Sequence, residues 1–137
     1  MMWALKGLLL CIAFAYGAYS DIKSREIPDI VPVTIFLSGF IGFVPLNACI
    51  GLAVTGTVFL LAAMLGNMGG GDVRLMAASG FALGLFGGIL QTIIGLTLAL
   101  LFTLGQHLVK GKKNIRYTGI PLAPFLGLGG ILAYLLM

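Results

Sequence analysis

Charge is what this sequence has least of. Only 9% of its residues are Asp, Glu, Lys or Arg, against roughly 25% in a soluble domain, so the chain cannot cover a water-facing surface. Four acids and one histidine leave few groups for proton chemistry. The two cysteines, Cys11 and Cys49, stand singly in apolar stretches without a C-x-x-C partner. That argues against a zinc framework or a disulfide scaffold, and both read as small buried apolar residues. No soluble domain, polar linker, low-complexity tract or internal repeat can be made out. What is present is apolar: 60% hydrophobic residues and a mean hydropathy of +1.13. The solvent for such a chain is a bilayer.

A spanning helix needs roughly 20 apolar residues. Breaking the 137 residues at charges, prolines and glycine clusters predicts six spans, at 3–20, 30–45, 46–66, 73–87, 88–109 and 119–136. The first is read as a retained helix rather than a cleaved signal peptide. The expectation is an all-α, polytopic membrane protein, 1–137 forming a single membrane-embedded domain. Polar gaps at 21–29, 67–74 and 110–118 follow the odd-numbered spans and would emerge on one side. Lys23, Arg25, Arg74, Lys110, Lys112, Lys113 and Arg116 lie in them, leaving only Lys6 elsewhere. By the positive-inside rule that side is cytoplasmic and both termini face out. The net charge of +4 is therefore assigned to topology and anionic lipid headgroups, and nucleic acid is not an expected partner.

All four acids, Asp21, Glu26, Asp29 and Asp72, fall in the first two of these gaps. A carboxylate beside the hydrocarbon region is a functional hypothesis by default. Asp21 closes the first span and Asp72 opens the fourth, at one depth on one side. Gly17 and Ala18 lie one turn before Asp21, and Gly80, Gly84 and Gly88 form a small-residue track after Asp72. Such tracks let membrane helices approach closely, which could bring the two carboxylates together. Two neighbouring carboxylates share a proton, so one can activate water while the other protonates a scissile carbonyl. That hydrolysis needs no metal or cofactor. Gly69, Gly70 and Gly71 would let an extended substrate lie close to the backbone. The bland alternatives stay open: Asp72 as a helix N-cap, and Asp21 as an interfacial carboxylate near Lys23 or Arg25.

At these residues the chain resembles the type IV prepilin peptidase family. Asp21 stands a few residues before Glu26-Ile27-Pro28. Gly69-Gly70-Gly71-Asp72-Val73-Arg74-Leu75 matches the G-x-G-D motif with its following basic and apolar residues. Ile120-Pro121-Leu122-Ala123-Pro124 matches a late Ile-Pro-x-x-Pro segment opening the last helix. The resemblance, from about Gly17 to the C-terminus, implies an aspartic endopeptidase of a prokaryotic inner membrane, with Asp21 and Asp72 catalytic. It implies cleavage of leaders from prepilin or pseudopilin substrates at the cytoplasmic face. Larger members carry an N-terminal segment with paired C-x-x-C motifs and methylate the new terminus; this chain resembles the short, peptidase-only members such as those serving tight-adherence pili. Where the family often has Asn after Ile-Pro, this chain has Asp29, a third carboxylate near the site that either tunes the pair or, the favoured reading, caps the second helix. Glu26 is a weaker candidate for binding a basic leader, and Arg74 for an interfacial anchor or a contact to a substrate carbonyl. Asn47 and Gln91 are expected toward the outer side, away from the aspartates, satisfying local hydrogen bonds. His107, at a helix end, is read as a dipole partner.

Three other readings compete. Membrane acids also mark ion pathways, so a proton- or ion-coupled transporter is one, and a non-catalytic subunit of a pilus or secretion assembly is another. A presenilin-like intramembrane protease shares G-x-G-D, but the Ile-Pro element after Asp21 favours the prepilin class.

Overall fold

The computed structural model describes residues 1–24, 26–66, 70–110 and 123–136, the Lys110 side chain excepted. It is all-helical, with no strand among the described residues: α1 (Met2–Ser24), α2 (Ile30–Ser38), α3 (Pro45–Leu65), α4 (Gly70–Lys110) and α5 (Ala123–Leu136). Three helices, Met2–Ser24, Pro45–Leu65 and Gly70–Val109, are long and apolar enough to cross a membrane. Leu8, Ile12, Leu61, Ile93 and Leu100 are among the many large apolar side chains left on the outside. In water such a surface would aggregate; in lipid it is the solvated face. Cys11 and Cys49 belong to it as well. The expectation that they are buried in the protein is thus corrected, because lipid satisfies an apolar side chain as well as a protein core does.

The second apolar run does not hold one helix from 30 to 45. Helix α2 has nine residues and tightens into i→i+3 bonds, Phe40 N–H to Leu37 O and Ile41 N–H to Ser38 O. The chain then turns at Gly42, whose φ of 68° is in the left-handed region that favours glycine. Pro45 opens α3 at a first-turn position, where its missing N–H costs nothing. Phe81 of α4 stacks on Phe36 at 4.3 Å between ring centroids and meets the edge of Phe40, seating this turn.

Helix α4 doubles back. Gly84 leaves helical geometry at φ 80°, ψ −177°, and a methyl added at Gly88 would stand 3.4 Å from Gly80 Cα. Residues eight apart in a straight helix are separated by about 12 Å, so the arms 70–83 and 85–110 form a hairpin. The reversal expected at Gly87–Gly88 therefore lies at Gly84. The physical reason is the left-handed φ, together with Asn47, whose Oδ1 accepts the Leu85 N–H at 3.0 Å and so serves the first free donor of the second arm.

Helix α4 is the centre of the bundle, packing against α2, α3 and α5, while α1 packs on α2 and α5. The small-residue track is used, but not between α1 and α4. Cβ atoms at Gly51 and Gly80 would run into the facing backbone, and one at Gly80 into Thr55 Oγ1, so α3 and α4 touch backbone to backbone. Thr55 Oγ1 donates across that seam to Met76 O at 2.9 Å. A Cβ at Gly17 would meet Val31 of α2 at 3.0 Å. The core is Leu10, Phe14, Val31, Ile35, Phe59, Leu75, Met76 and Leu126, each almost wholly buried.

Candidate active site

At one end of the bundle the C-terminal end of α1, the 26–29 segment, the first turn of α4 and the start of α5 converge. A cavity of about 360 Å³ opens there, lined by Asp21, Glu26, Ile27, Gly70, Gly71, Asp72 and Arg74. Its size falls within the range of small ligand sites, roughly 300–1,000 Å³. At the other end a second cavity is lined by Lys6, Gly42, Asn47 and Gly84, among others. Glu26 and Asp72 thus share one end with Asp21, and the α4 reversal lies at the opposite one.

Asp21 is 7% exposed. Its Oδ2 accepts the Ala123 N–H at 3.0 Å, so the carboxylate sits against the N-terminus of α5, where free donors and the helix dipole favour an anion. The sequence reading did not single out Ala123. No sequence signal singles it out, since Leu122 and Ala123 both carry an N–H between Pro121 and Pro124. Lys23 does not pair with Asp21 but lies over the Tyr19 ring at 5.7 Å; Arg25 is outside the described residues.

Asp72 is not an N-cap. Helix α4 begins at Gly70, which puts Asp72 inside the first turn. Its Oδ1 is buried and accepts no hydrogen bond among the described residues. The two aspartates do not bond to one another; they face one cavity from helices that share no close backbone contact. A Cβ at Gly71 would come within 3.2 Å of Ile27 Cβ, so a side chain there would press on Ile27. Gly70 has open space beside it, and Gly69 lies outside the described residues, as do Lys112, Lys113, Arg116 and most of the Ile120–Pro124 segment.

Asp29 does not cap α2 with its side chain. Its Oδ1 instead accepts from Arg74 Nη1 at 2.6 Å, both side chains being well exposed, 77% and 67%. Arg74, which lines the cavity, is therefore engaged with Asp29 rather than extended as a lone anchor. Glu26 is exposed and lines the cavity, and its carbonyl accepts from Ser20 Oγ at 3.0 Å. No three His, Cys, Asp or Glu side chains among the described residues gather closely enough to hold a metal ion. Asn47 lies at the far end as expected. Gln91 does not stand apart from the site in the same way: its Nε2 donates to Leu126 O at 3.0 Å, one turn along α5 from Ala123.

The model of the type IV leader peptidase family matches residues 8–104, most of the chain and both aspartates. The chain belongs to the type IV leader peptidase family. Neither a curated protein nor a solved structure matches it. The family match ends before α5, so the Asp21–Ala123 contact lies partly beyond it. Membership makes this a peptidase family member in a membrane, with its acids grouped at one end of the helices.

Proposed function

We propose that this leader peptidase family member is a membrane aspartic endopeptidase, in which Asp21 and Asp72 hold a water and one proton between them. The observation that carries the reading is the shared cavity: two carboxylates from helices distant in sequence face the same space, with an open glycine edge at Gly70. Water attacks the scissile carbonyl as one carboxylate takes its proton and the other protonates the carbonyl oxygen. The pair titrates as a unit, so neither residue is given a separate acid or base role. The substrate class is a prepilin or pseudopilin with a basic leader and an apolar helix, cleaved at headgroup level. Glu26 and Asp29 would face the leader.

The same proposal places the cavity on the cytoplasmic side of a prokaryotic inner membrane, with a single domain crossing six times and both termini outside. Alternation of the helix ends between the two cavities, the hairpin in α4 and the positive-inside bias support it. The test is co-expression with candidate prepilins, followed by leader loss on gels. Asp21→Asn and Asp72→Asn should each reduce processing by roughly 10²–10⁴-fold, the usual range for a lost acid–base group. Full processing by either variant, folded and membrane-inserted, removes that residue from the mechanism. An ion-coupled transporter would instead give proton flux in proteoliposomes that survives without any peptide substrate.

A further inference from the structure

We infer that Gln91 is a positioning residue: by holding the first turn of α5 in register, it places the Ala123 N–H on Asp21. The inference rests on Asp21 acting at the scissile bond, as proposed above.

The seam between α4 and α5 is made by glycine. Cβ atoms at Gly95 and Gly129 would stand about 3 Å or less from the facing helix, and one at Gly130 would meet both Phe14 and Gln91. Such a seam permits close approach; Leu126 against Gly95 and Phe125 against Phe102 also hold it, but through apolar contacts, which carry no direction. Sliding matters here. One residue of helix is about 1.5 Å of travel, enough to break the 3.0 Å Ala123–Asp21 contact.

Two directional bonds hold α5, one to α1 and one across the seam to α4. Tyr134 Oη donates to Trp3 O, eleven residues from Ala123 and on the exposed first turn of α1. Gln91 Nε2 donates to Leu126 O at 3.0 Å, only three residues from Ala123. Gln91 is fully buried, and its Oε1 accepts no hydrogen bond among the described residues. A side-chain amide half satisfied in an apolar interior adds little or nothing to stability, because the orphan oxygen offsets the bond that is made. What remains for Gln91 to supply is direction.

The test compares purified wild type, Gln91→Met, Gln91→Glu and Tyr134→Phe, with a prepilin substrate and steady-state kinetics. Met keeps the volume and removes both polar atoms. Its kcat should fall roughly ten- to a hundredfold, the effect of a misplacement on the scale of 1 Å, with KM within about twofold and an unchanged or higher Tm. A glutamic acid in this apolar setting is kept neutral by burial; its O–H can donate to Leu126 O, so Gln91→Glu should stay within about threefold of wild-type kcat. Tyr134→Phe should be milder than Gln91→Met. Wild-type kcat in Gln91→Met overturns the inference. So does a Gln91→Met protein that unfolds or melts several degrees lower, since Gln91 would then hold the fold rather than the register. Equal losses in the Met and Glu variants overturn it too. Cleavage by Asp21→Asn, or none by wild type, would instead remove the peptidase reading and this inference with it.

Discussion

Thr55 shows how a single hydroxyl is used where no water is available. Its one O–H is shared between two acceptors, Gly51 O in its own helix and Met76 O in the next, while Gly80 leaves room for it. Thr55→Val keeps the shape and removes both bonds. It should lower stability by roughly 0.5–1.5 kcal/mol, read as an earlier midpoint in detergent unfolding. Gly80→Ala should be worse, because its Cβ would meet the Gly51 backbone as well as the Thr55 hydroxyl. The Arg74–Asp29 pair is exposed, so breaking it with Asp29→Asn should change stability by no more than about 1 kcal/mol. If Asp29 faces a basic leader, the same variant should raise KM for processing while leaving kcat within about twofold, as expected when uniform binding is lost.

Among the elements, α4 carries the most consequence. Its sequence reads as two apolar runs, and the reversal between them was legible to within a few residues. The position was not, because hydropathy treats Gly84, Gly87 and Gly88 alike. Only Gly84 has the left-handed φ and the Asn47 side chain at its back. Gly84→Ala should therefore destabilise by roughly 1–3 kcal/mol from backbone strain, with more from the clash with Asn47. Gly42→Ala has open space and should show the strain without the clash. Hydrogen exchange at Leu85 should quicken in Asn47→Ala, which removes its acceptor. Helix α2 is the opposite lesson. A 16-residue apolar run was expected to be one span, and it became nine helical residues and a phenylalanine-seated turn, because a glycine with φ 68° can end a helix that hydropathy would continue.

For the molecule as a whole, the proposed topology gives a direct check. Single cysteines placed at Glu26 and at Lys6, in a background lacking Cys11 and Cys49, should react with a membrane-impermeant maleimide from opposite sides, Glu26 from the cytoplasm. Labelling of both from one side would overturn the six-crossing arrangement. The apolar solvent, the helical class and the grouping of Asp21 and Asp72 were legible in the chain itself. Hydropathy is a sum over residues, and both acids interrupt it beside recognisable glycine and proline punctuation. Which helices touch was not legible. Gly17 and Gly80 announce close packing without naming a partner, and the partners proved to be α2 and α3, leaving α1 and α4 to face each other across a cavity. Only the tertiary structure could bring the Ala123 N–H to Asp21 across 102 positions, or set Gln91 one turn behind it. A hydrogen bond is decided by tenths of an ångström between chain segments, and no local pattern encodes that separation.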